Sequence, residues 1–97
     1  MLDLSPVFSA LSDPTRRRIL ELLSKGNLTA GDIADQFPIS KPSISHHLNV
    51  LKHAQLVRFQ RQGQHLVYSI DTAILTEVQH WLDQLDLVRL QRRGRIE

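Results

Sequence analysis

Between Thr29 and His53 the chain carries two helix-start signals eleven residues apart, with Phe37-Pro38 between them. Thr29-Ala30-Gly31-Asp32 sets a hydroxyl three residues before a carboxylate, a near match to a capping box in which Asp replaces the usual Glu or Gln. The helix it opens carries Ile33 and Ala34 and runs to about Gln36, because proline disfavours helical backbone in the residue before it. Ser40 then caps a second helix, with Pro42 tolerated in its first turn and an end near His53. A helix-turn-helix needs apolar residues that lock two helices at a fixed angle, so that one stands proud of the body. Ile33, Phe37, Ile39, Ile44 and Leu48 are placed to supply them, and the small Ala34 suits the closest backbone approach. The turn has Pro38 where many such motifs place glycine.

The flanking sequence completes the architecture. Ser5-Pro6 reads as an N-cap with proline at the first helical position, opening a short helix through Val7, Phe8 and Leu11. Asp13-Pro14 repeats that signal, and Ile19, Leu20, Leu22 and Leu23 recur at helical spacing until Gly26. From Leu56 the period changes: residues 56–61 and 65–70 flank a Gln62-Gly63-Gln64 turn, which predicts a β-hairpin with a polar, basic tip. Asp71 caps a last helix in which Ile74, Val78, Trp81, Leu85 and Val88 alternate steps of four and three, with Leu75 and Leu82 widening the stripe. The expected fold is mostly α with a β-hairpin wing, an α+β winged helix-turn-helix in the order α-α-α-α-β-β-α. All 97 residues read as a single domain. A domain of that size buries a modest core, so pairing with a second copy would add stability.

Composition narrows the function. Hydrophobic residues make up 41% and charged residues 23%, as in a folded soluble protein. No apolar run approaches the roughly 18 residues of a membrane span, and Met1-Leu2-Asp3-Leu4 lacks a signal-peptide pattern, so no membrane insertion and a cytoplasmic location are expected. The sequence contains no cysteine, which excludes disulfides, thiolate metal ligands and thiol redox chemistry. No glycine-rich phosphate loop, nucleophile-base-acid set or paired pocket carboxylates appear, so an enzyme is not expected. The net charge is only +2, but between Arg16 and Tyr68 eight Lys or Arg face three Asp or Glu. Arg89, Arg92, Arg93 and Arg95 form a second basic cluster near the end.

On the second helix of the central pair, Ile44, Leu48 and Leu51 fall at i, i+4 and i+7 and define one buried stripe. The opposite face carries Pro42, His46, Asn49 and His53, flanked by Ser43 and Ser45 and bordered by Lys41 and Lys52. Short donors and acceptors of this kind reach base edges from a helix in a major groove, whereas lysine and arginine neutralise phosphate. The residues expected to meet duplex DNA are therefore Lys41, Pro42, Ser43, Ser45, His46, His47 and Asn49, with Ser43, Ser45 and His46 as base readers. Arg58, Arg61 and His65 on the wing would reach the backbone or a minor groove. Arg16, Arg17 and Arg18 are consecutive and cannot share a face; at least one is expected to support the fold through Glu21 or a cap contact.

With these residues in place, the sequence resembles the ArsR family of bacterial winged-helix repressors over nearly its whole length. Residues 8–20, Phe8-Ser9-Ala10-Leu11-Ser12-Asp13-Pro14-Thr15-Arg16-Arg17-Arg18-Ile19-Leu20, are similar to the family's opening signature. Ser40-Lys41-Pro42-Ser43-Ile44-Ser45-His46-His47-Leu48 is similar to its recognition helix, above all in the SdpR-type autorepressors. The resemblance implies a homodimer built on the N- and C-terminal helices, with Phe8, Ile74, Val78, Trp81, Leu82, Leu85 and Val88 at its interface. It also implies an inverted-repeat operator and repression. Family members that sense metals or reactive sulfur use thiolates, which are absent here, or a set of Asp, His and Glu on the last helix. Of that set Asp71, Glu77 and His80 remain, with Glu77 and His80 on one face. A weak inter-subunit metal site there is one alternative, and a winged-helix protein-interaction module without DNA binding is another. His46 and His53 lie about 10.5 Å apart along the helix axis, too far to share an ion. No metal site or cofactor is expected, and a protein anti-repressor is a candidate partner.

Overall fold

The computed structural model describes residues 2–94. Its elements follow in the order α1 (Ser5–Leu11), α2 (Pro14–Leu23), β1 (Leu28–Thr29), α3 (Ala30–Ala34), α4 (Lys41–His53), β2 (Val57–Gln62), β3 (His65–Ile70), α5 (Thr72–Asp83) and α6 (Leu87–Gly94). This is the expected winged helix-turn-helix with two additions. The dipeptide β1 becomes a strand only by pairing antiparallel with β3, Leu28 opposite Tyr68 and Thr29 opposite Val67, which gives a three-stranded sheet in the order β1-β3-β2. The expected single last helix is two, because Asp86 adopts φ 51° and turns the chain between α5 and α6. Asp is among the few non-glycine residues that tolerate this left-handed backbone.

Four of the five expected N-caps hold. Asp13 accepts from the Arg16 N–H at 3.0 Å, Thr29 from Asp32 at 3.0 Å, Ser40 from Ser43 at 3.3 Å and Asp71 from Ala73 at 3.1 Å. Ser5 is not a cap: it lies inside α1, and Asp3 Oδ1 accepts its N–H at 2.9 Å instead. Both α3 and α4 point their stripes inward, and Ile19, Ile33, Ile44, Leu51 and Leu56 are the largest fully buried side chains. In the turn, Phe37 is half-buried but Ile39 is 40% exposed, so Ile39 does not help lock the two helices.

The exit from α4 is a Schellman turn. Leu56 N–H donates to Leu51 O at 3.0 Å and Gln55 N–H to Lys52 O at 3.0 Å, with Gln55 at φ 63°. The accompanying apolar contact is built from Leu51 and Leu56, both fully buried. The chain then enters a hairpin closed by the pair Gln62–His65, leaving Gly63-Gln64 as a two-residue turn. Gly63 takes φ 63°, as such turns require. Ile74, expected in a dimer interface, is instead 7% exposed within this chain's own core. No helix among the described residues is long and apolar enough to cross a membrane.

Candidate nucleic-acid interface

Burial of Ile44, Leu48 and Leu51 fixes the rotation of α4 and leaves Lys41, Pro42, Ser43, Ser45, His46 and Asn49 exposed together. At the N-terminus the Ser40 hydroxyl donates to Ser43 Oγ at 2.9 Å as well as capping the helix, so Ser43 is held at the first turn. Ser45 and His46 have no comparable tether among the described hydrogen bonds. Further along, His53 Nδ1 lies 2.7 Å from Asn49 O one turn back, which draws the ring along the helix. His46, Asn49 and His53 share one side of an open groove of about 450 Å³, with Pro6, Ser9 and Ala10 of α1 on the other.

His47 departs from the expected set. It is half-buried, and its Nδ1 lies 3.1 Å from Arg16 Nη1 and 3.9 Å from Asp13 Oδ2, so it turns toward α2 and away from the exposed polar face. Asp13 is held below the ordinary carboxylate range, first by the Arg16 N–H it accepts and then by charge attraction to the Arg16 guanidinium. The arginine triplet divides as its spacing requires. Arg16 grips α1, Arg17 donates to Leu11 O at 2.7 Å, and Arg18 pairs with Glu21 at 3.2 Å.

The wing's charges also separate by face. Side chains alternate along a strand, and register sets Phe59 opposite Tyr68 and Gln62 opposite His65. Arg61 therefore shares a face with Phe59 and Leu66, whereas Arg58 and His65 share the other. All three are exposed. Lys52 of α4 sits 4.9 Å above the Phe59 ring, which in turn packs on Tyr68 with centroids 5.6 Å apart. A cation over an exposed ring is worth about 0.5–1 kcal/mol and here braces the wing against α4. Periodicity could not reveal this brace, because Lys52 and Phe59 belong to different elements.

The remaining expected residues form an apolar surface elsewhere. Phe8 of α1 meets Trp81 of α5 edge-on at 5.5 Å, and Trp81, Leu82 and Leu85 are each at least 40% exposed. Val78 packs partly on the core, and Val88, on α6, is 63% exposed. Glu77 and His80 line a small recess with Leu2, Leu4, Trp81 and Gln84, where Gln84 Nε2 lies 3.3 Å from His80 Nε2. Among the described residues no group of three His, Asp or Glu is placed to hold a metal ion. Of the terminal basic cluster, Arg95 lies outside the described residues.

Residues 13–58 match the family described as "Bacterial regulatory protein, arsR family". The chain is 57% identical over 76 residues to the transcriptional repressor SdpR of Bacillus subtilis (strain 168), covering 78% of this chain and 84% of that relative. It is 37% identical over 81 residues to an arsenical resistance operon repressor of Staphylococcus xylosus, covering 84% and 78% respectively. Among solved structures, an ArsR-like transcriptional regulator from Rhodococcus sp. RHA1 superposes with a TM-score of 0.81 at 32% identity, covering 96% of this chain and 85% of that one. These relatives are named as regulators or repressors, none as an enzyme.

Proposed function

The chain belongs to the ArsR family of bacterial regulatory proteins, and on that premise we propose that it is a homodimeric transcriptional repressor. In this reading α4 enters the major groove of an inverted-repeat operator and the hairpin rests on the flanking backbone. The observation that carries it is the division of α4 into a buried stripe, Ile44, Leu48 and Leu51, and an exposed polar face, Lys41, Pro42, Ser43, Ser45, His46 and Asn49. Apolar burial within the chain orients that face, as a pre-formed reading surface requires. Ser43, Ser45 and His46 read bases from its N-terminal half, Lys41 and Asn49 support them, and Arg58, Arg61 and His65 supply wing contacts.

Dimerisation uses the apolar surface of Phe8, Trp81, Leu82 and Leu85, extended by Val88. A cluster of large exposed apolar side chains marks an association site. Ile74 is excluded from it because the chain's own core already buries that side chain. The sequence has no cysteine for a thiol signal, and among the described residues no group of three His, Asp or Glu is placed to hold a metal ion; a protein anti-repressor, an unrecognised ligand or a change in protein level are the routes left open for relief of repression. A mobility-shift assay with the promoter of the protein's own gene tests the reading. A retarded complex that survives excess random DNA is expected, and no shift even at low salt would overturn it.

A further inference from the structure

We propose that Arg16 and His47 form a strut that sets the pose of α4 relative to α1, and so act as positioning residues for operator discrimination; this rests on the DNA-binding reading above. The Arg16 guanidinium reaches two elements besides its own. Its Nε donates to Ala10 O at 2.7 Å and its Nη2 to Ser9 O at 3.3 Å, both near the end of α1, while Nη1 lies 3.1 Å from His47 Nδ1 on α4. Phe8, the residue preceding those carbonyls, meets Trp81 of α5 at 5.5 Å. A contiguous run of contacts therefore joins the apolar α1/α5 surface to the helix that carries Ser45 and His46.

Donor chemistry fixes the direction of the central bond. A guanidinium has donors only, so the bond is made with His47 Nδ1 as acceptor. The charged or titratable groups at the ring are Arg16, Asp13 at 3.9 Å from the same nitrogen, and His46 along α4 with ring centroids 5.8 Å apart. A planar guanidinium holding two carbonyls and one imidazole fixes angle as well as distance, which a flexible lysine would not. An apolar residue at position 47 would leave Arg16 on the α1 carbonyls and release α4 alone. That separates the strut from the general stability of α1.

The test uses full-length His47→Leu and His47→Asn, whose amide oxygen can take the place of Nδ1. Dimerisation is followed by sedimentation, folding by thermal melting, and affinity for own-promoter and random duplexes by fluorescence anisotropy. His47→Leu should remain dimeric and bind DNA, yet lose about tenfold in its operator-to-random ratio, whereas His47→Asn keeps the ratio within about twofold. Arg16→Gln should reproduce the loss, and combining it with His47→Leu should cost no more than either change alone. An unchanged ratio in His47→Leu, failure of asparagine to preserve it, or additive losses in the double variant would overturn the strut. The two His47 variants decide the matter even where Arg16→Gln does not fold. If the unaltered chain shows no preference for its promoter, the DNA-binding reading fails first, and that outcome is distinct from all three.

Discussion

Replacing Gln55 with glycine should stabilise the protein, although the change removes a side chain and adds no contact. Gln55 is exposed, makes no side-chain hydrogen bond among the described residues, and is held at φ 63° by the turn that ends α4. A left-handed conformation costs a residue with a Cβ about 1–2 kcal/mol, which glycine does not incur. Glycine in turn loses about 0.5–1 kcal/mol more backbone entropy on folding. The difference is a net gain of about 0.5–1 kcal/mol, which for a domain of this size raises Tm by about 2–8 °C. Thermal melts followed by circular dichroism, at one fixed protein concentration because the Tm of a self-associating chain depends on it, provide the measurement. Since both turn hydrogen bonds are made by main-chain atoms, operator affinity should not change. An unchanged or lower Tm would refute the assignment of stored backbone strain at Gln55.

Three other outcomes follow from particular residues. The double variant Ser45→Ala, His46→Ala should bind operator and random DNA with similar, weak, salt-sensitive affinity, because phosphate contacts outlive base readout; anisotropy titrations at two salt concentrations check this, and retained discrimination would place the base readers elsewhere. Leu85→Asp should yield monomers with poor operator affinity, since an unpaired charge in an apolar interface is costly; light scattering that still finds a dimer would move the interface. Asp13 is held below its ordinary value near 3.8 by the Arg16 N–H it accepts, so its stabilising effect is complete above that value and is lost as pH falls through the lower folded value. The Tm advantage over Asp13→Asn should accordingly shrink as pH is lowered from 6 toward 3, and a constant or growing difference would contradict the assigned partner.

The parts of the fold governed by local chemistry were legible in the sequence. Asp13, Thr29, Ser40 and Asp71 announce their helices because a cap needs only its own turn, and the Ile44, Leu48, Leu51 stripe gives the rotation of α4 because helical period alone determines it. Features that depend on distant partners were not. Leu28 and Thr29 form a strand only because Tyr68 and Val67 lie beside them. His47 follows Ser45 and His46 in a recognition-like run, and nothing local shows that Arg16, 31 residues earlier, holds it. The break at Asp86 was masked by Leu85 and Val88, which continue the apolar period across it. Ile74 shares a stripe with Trp81, and only tertiary packing shows that one is core and the other surface.

The central claim is that two copies of α4 read one duplex through their exposed polar faces. Hydroxyl-radical footprinting of the protein on its own promoter tests it most directly. The account predicts two protected patches related by two-fold symmetry, their centres about 34–36 Å or a multiple of that apart, over an imperfect palindrome, with both patches lost in the Ser45→Ala, His46→Ala variant. Uniform protection, a single unpaired patch, or an unchanged footprint in that variant would contradict it.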